Sequence, residues 1–282
     1  MSSVSSKTWM ILGCWQTTGM LTDQRYRPGE ALLDELGIRR PEDIDLRIIA
    51  AHLGLRIRRR CLDGCVARLV TGPRGGIITV SPDASGPRRS DGSPRERFSI
   101  AHEIGHWTLG HIHSACAHGD IPYGRGGRHE AEANAFASGL LLPDTFLRDS
   151  MPGADFDLGD ARTIARQFGV SITAAALRLV DLSLHPVILT AYNANGLAWW
   201  RRSPTFPRHW RPVTTASTGS YVHEVFHDLG RGLLGEGGPH PKAASSWFAA
   251  PDADGRTVID HTLRAGGDGS GFQAISLVRL LP

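Results

Sequence analysis

Apolar positions set out the elements in chain order. Pro28 to Leu36 reads as a short helix stopped by Gly37. A second helix, Glu42 to Leu53, is opened by Pro41 and carries Ile44, Ile48, Ile49 and Leu53 near helical spacing before Gly54. Three strand-like runs follow, Leu55–Arg59, Val66–Val70 and Gly76–Ser81, the last two joined by a hairpin loop over Thr71–Gly75. Asp83 to Arg95 is rich in Gly, Pro, Ser and Arg and is expected as an exposed loop. Helices are expected over Arg97–Leu109 and His129–Leu142, the second stopped by Pro143, with a Gly- and His-bearing loop between them. Asp160–Leu182 holds a turn, Ala165–Ser171, like that of a helix-turn-helix. Beyond Pro186 the texture changes to strands at Val187–Tyr192, Leu197–Arg201, Val258–Arg264 and Ala274–Leu281, interrupted by a helical piece at Tyr221–Leu229. The expected class is α+β, with a boundary near residue 185 and a smaller β-rich domain over 186–282.

Composition narrows the class. At 282 residues the chain can bury a core without disulfides, and 41% hydrophobic with 21% charged residues excludes wholesale disorder. The 31 basic residues, nearly all Arg, are scattered among 28 acids, a compositional bias and not a nucleic-acid surface. Cys61 and Cys65 have no second Cys pair to complete a metal site and are read as reduced thiols near a turn. The apolar patch Trp9–Leu12 is too short for a signal peptide, and no run reaches the ~20 apolar residues of a membrane span. A cytoplasmic protein without membrane association is expected, with residues 1–24 as a loose lead and 25–185 as the main domain.

Chemistry concentrates in Phe98–Leu109, which contains His102-Glu103-Ile104-Gly105-His106. On a helix, residues four apart lie one turn above each other, so His102 and His106 can present two imidazoles to one metal ion. Glu103, rotated by ~100°, can reach a water beside that ion and act as general base. A third ligand is needed, and Glu130 is the best candidate, with Glu132 as substitute if the register differs and His129 as a rival. Acids in a first helical turn can also serve the helix dipole alone. Asn134, one turn beyond Glu130, is placed to hydrogen-bond a ligand histidine. Two His and a carboxylate suit zinc, with manganese as the alternative ion.

A second His-Glu-x-x-His, His223 to His227, is followed at once by Asp228-Leu229-Gly230 and by no Glu-bearing helix. It is read as coincidence on an amphipathic helix. His111, His113 and His118 are read as solvated loop residues.

The run Arg97–His106, followed by Glu130-Ala131-Glu132-Ala133-Asn134-Ala135-Phe136-Ala137 and Leu140-Leu141-Leu142-Pro143, resembles the ImmA/IrrE family of bacterial metallopeptidases over roughly residues 28–182. The resemblance implies a zincin-like fold with zinc on His102, His106 and Glu130 and Glu103 as catalytic base. It implies further that the strand Gly76–Ser81 is an edge to which an extended peptide adds. It implies a helix-turn-helix repressor as the protein substrate, in stress or mobile-element regulation, and a C-terminal domain that is GAF-like and sensory in part of the family.

The expected function is therefore a zinc-dependent endopeptidase. The alternative is a non-catalytic transcription regulator or toxin–antitoxin partner on the same fold. Direct DNA binding is not expected: Ile172–Leu182 offers mainly Ala, Leu and Val, with Arg178 as its one basic contact, so packing is the favoured role for this helix.

Overall fold

The computed structural model describes residues 28–63, 65–83, 88–111, 126–218, 220–227, 236–265 and 272–281. The lead 1–24, His113 and His118 lie outside them. Two compact units result, one built from 28–151 with 165–171, the other from 152–164 with 172–281.

The first unit begins with α1 (Pro28–Glu35), a 3-10 turn (Pro41–Asp43) and α2 (Leu46–His52). The helix expected from Glu42 is thus split. Ile44 leaves the helical region, and the Asp45 carboxylate accepts the N–H of Arg47 as a new N-cap. Strands β1 (Leu55–Arg59), β2 (Ala67–Gly72) and β3 (Gly75–Val80) form a sheet of order β1-β3-β2. β3 pairs parallel with β1 and antiparallel with β2, so both of its edges are occupied. The expectation of an open edge at Gly76–Ser81 is corrected: among the described residues the outer strands of this sheet are β1 and β2.

The pairing also fixes which groups of β2 point outward. Gly76 N–H is given to Gly54 on the β1 side and Ser81 N–H to Val66 on the β2 side. Even-numbered β3 residues therefore face β1, and their β2 partners Leu69 and Thr71 turn their N–H and C=O groups to the free edge.

One face of the sheet, with Leu55, Ala67, Ile78 and Val80, is buried together with Ile100, Ala101 and Ile104 of α3 (Pro94–Thr108) and Phe136 and Leu140 of α4 (Gly126–Leu141). Gly105 is required here, because a Cβ would meet the Phe136 side chain at 3.1 Å and Ala133 Cα at 3.2 Å. The two motif helices cross at that glycine. A short helix, α5 (Asp144–Asp149), follows Pro143.

The stretch expected as an exposed loop before α3 is partly interior. Ser93 caps α3 by accepting the Glu96 N–H, and Asp91 is buried with Arg97. The two form an ion pair, with Asp91 also accepting the Leu46 N–H and Arg97 donating to the Ile44 and Phe168 carbonyls. A salt-bridged Asp beside an Arg three residues into a helix pulls this segment inward, which Gly/Pro/Ser composition alone does not indicate.

Helix α6 (Leu158–Phe168) and helix α7 (Ile172–Leu182) flank the helix-turn-helix-like turn. Gly169 sits there at φ +67°, and a Cβ would collide with the Arg89 side chain. Arg89 also donates to the Gln167 carbonyl, and Arg97 to the Phe168 carbonyl, so this turn packs against the two arginines.

In the second unit, β4 (Val187–Asn193), β5 (Gly196–Arg202), β6 (Glu236–Ala243), β7 (Thr257–Ala265) and β8 (Gln273–Leu280) make an antiparallel sheet of order β5-β4-β8-β7-β6. Helix α8 (Tyr221–His227) lies against β7 and β8, and α7 against β4 and β5. Buried Tyr192, Phe206, Trp210, Trp247 and Phe248 form its core with Ile188, Val222, Val258 and Val278. His261 ties the start of α6 into this unit. Its Nδ1 accepts the Leu158 N–H at 3.2 Å and its Nε2 donates to Glu236 at 2.9 Å, while Glu236 pairs with Arg162. These contacts group residues 158–162 with the second unit. Strand β6 escaped the sequence pattern because Pro239 and Pro241 interrupt it. It lies at a sheet edge and its register shifts between Gly237 and His240, both settings that tolerate proline. No helix among the described residues is long and apolar enough to cross a membrane.

Candidate metal centre

The buried α3 places His102 and His106 one turn apart, and α4 brings Glu130 opposite them. His102 Nε2 and His106 Nε2 are 3.0 Å apart, and the Glu130 oxygens lie 3.2 Å and 3.3 Å from them. A tetrahedral ion with bonds of about 2.0–2.1 Å has ligand–ligand edges of about 3.3–3.4 Å. Three donors of the right chemistry already stand near that spacing, so the residues fit zinc.

Glu132, the substitute considered for Glu130, points elsewhere: it bonds Arg128 at 2.8 Å and His111 at 3.1 Å. His129, the rival, stacks on His111 with ring centroids 4.2 Å apart. Asn134 sits as expected, its Oδ1 2.9 Å from His102 Nδ1. With an amide oxygen there, His102 donates its Nδ1–H to Asn134, which makes Nε2 the nitrogen that would ligate an ion.

Glu103 is buried, facing the β2 edge, where the backbone N–H of Leu69 reaches its carboxylate. Burial raises its pKa against the pull of His102 and His106. Glu130 is shifted the other way. Burial opposes ionisation there too, but hydrogen bonds from both histidines hold it well below the ordinary carboxylate range. The two carboxylates of one site are thereby separated in role, one ionised among the imidazoles and one with more affinity for a proton.

His111 corrects an expectation. It is not a solvated loop residue: it is buried, its Nδ1 3.1 Å from His106 Nδ1. Helix α3 ends in a Schellman turn, with Gly110 at φ +72°, Gly110 N–H on the Trp107 carbonyl and His111 N–H on the His106 carbonyl. That turn folds His111 back onto His106. The signal was present in the sequence as Gly110, one residue past the cap. The second His-Glu-x-x-His lies on the seven-residue α8, and neither His223 nor Glu224 joins a three-donor group among the described residues.

Comparison with known proteins bears on the same segment. Residues 87–180 match the family model Peptidase_M78, the IrrE N-terminal-like domain. A Mycobacterium tuberculosis transcriptional regulator has a similar structure, with a TM-score of 0.58 at 19% identity, over 89% of this chain and 74% of that one. No curated protein matches. The family match covers about a third of the chain and encloses His102, Glu103, His106, Glu130 and Asn134, the residues of the two helical motifs.

Proposed function

We propose that this chain is a zinc-dependent endopeptidase acting on a protein substrate, a helix-turn-helix transcriptional repressor. The observation that carries the reading is the convergence of His102, His106 and Glu130 within 3.0–3.3 Å beside a buried Glu103.

In this reading an extended substrate segment pairs with the outward C=O of Leu69 and the outward N–H and C=O of Thr71 on β2, while the Leu69 N–H stays with Glu103. When bound, the ion supplies Lewis acidity that lowers the pKa of a water to about 7. Glu103 is placed to take a proton from a water whose oxygen adds to the scissile carbonyl carbon, and to give that proton to the departing amine nitrogen. Burial raises the Glu103 pKa and so suits it to both transfers. Asn134 holds His102 in the tautomer that binds the ion.

The test is co-incubation of the full chain, with zinc, and a small helix-turn-helix repressor encoded nearby. A discrete cleavage product that disappears with a chelator supports the reading, and an intact repressor under all metal conditions contradicts it.

The name of the structural neighbour, a transcriptional regulator, favours a second reading in which the fold regulates transcription without turnover. A band-shift or pull-down that persists unchanged without Glu103 and zinc would favour it. The presence of Glu103 beside the three donors weighs against it, since a binding module has no use for a base.

A further inference from the structure

We propose that His111, His129 and Glu132 form a second divalent-cation site, weaker than the first and antagonistic to it. This rests on the reading of His102, His106 and Glu130 as the first.

The Schellman turn delivers His111 into the protein, and α4 contributes His129 and Glu132 three residues apart on one face. Their donor atoms lie within 4.8 Å of one another, the same two imidazoles and one carboxylate as the first group. His111 and His129 are stacked at an interplanar angle of 17°, and Glu132 Oε2 is 3.1 Å from His111 Nε2. Such a donor set binds zinc or a similar borderline ion.

Proton placement couples the two groups. With an ion on His106 Nε2, the His106 proton sits on Nδ1, where the partner at 3.1 Å is His111 Nδ1. His111 must then accept at Nδ1 and carry its own proton on Nε2, donated to Glu132. An ion in the second group needs the Nε2 lone pair. The His111 proton then moves to Nδ1, where it faces the His106 proton, and the hydrogen bond that orients His106 is lost. Loss of such an orienting partner costs roughly 10–100-fold in metal affinity. Glu132 must in addition be shared with Arg128. The second ion is therefore bound late, and it loosens the first.

The test is isothermal titration of metal-free full-length chain with Zn²⁺, with bound zinc also counted by mass spectrometry of the intact protein. Wild type should take up two ions in a tight and a weak step. His129→Ala and Glu132→Gln, both on a partly exposed helix face, should each remove the weak step, leaving one ion that excess zinc no longer loosens. His102→Ala should remove the tight step and keep the weak one. A single ion in wild type, or two in the combined His129→Ala/Glu132→Gln chain, would overturn the proposal. A tight step that survives His102→Ala would instead overturn the reading of the first site.

Discussion

Asn134 Oδ1 lies 2.9 Å from His102 Nδ1, and Asn134 stands one helical turn beyond Glu130 on α4. One helix thus supplies both a candidate ligand and the group that orients a ligand on the facing helix. Asn134→Ala should weaken zinc binding about 10–100-fold with little change in fold. Competition with a chelating dye reads this directly, and unchanged affinity would remove Asn134 from the account.

Arg97 is fully buried, and its partner Asp91 is almost as deep. Together they fasten the first turn of α3 to the segment around Ile44 and Leu46 and to the end of α6. Arg97→Met strands the Asp91 charge, and about 3–5 kcal/mol of stability should be lost in chemical denaturation. Adding Asp91→Asn should recover part of it, because the amide oxygen still accepts the Leu46 N–H. A single substitution without measurable cost would show that the pair does not anchor the motif helix.

Thr71 turns its N–H to the open edge of β2, away from Gly76. Thr71→Pro removes that donor without breaking a bond to β3. The expected outcome is a several-fold rise in KM with kcat and Tm nearly unchanged. If KM does not move, the substrate strand lies elsewhere.

Asp260 lies buried on β7, bonded to Thr262 at 2.9 Å, and burial pushes its pKa up to about 6. A raised pKa means that the folded chain holds the proton more tightly than the unfolded one. Its contribution is complete below about pH 4 and is lost as pH rises through 6, a change on the order of 2–3 kcal/mol. Asp260→Asn should flatten stability against pH across that window and be more stable than wild type at pH 7. Denaturation followed by fluorescence of Trp210 and Trp247, both buried in this unit, reports it. Parallel pH curves for the two proteins would contradict the assignment.

What was legible in the sequence followed from short-range periodicity. The i, i+4 spacing of His102 and His106 and of Glu130 and Asn134 needs nothing beyond two helices, and the helices formed. His111 was not legible from spacing, since it depends on a Schellman turn reversing the chain after Gly110. The place of β3 between β1 and β2 is a long-range pairing, and strand composition does not say which strand is the edge. Strand β6 was hidden by Pro239 and Pro241, which its edge position and its register shift accommodate. Asp91 looked like a loop residue because its buried partner, Arg97, sits in the next element.

In the proposed function, Glu103 performs the chemistry beside an ion held by His102, His106 and Glu130. The direct measurement is zinc content and repressor cleavage for wild type and Glu103→Gln, side by side. Equal zinc is expected in the two proteins, with a cleavage rate lower by about 10²–10⁴-fold in the variant. Equal zinc with an undiminished rate would contradict it.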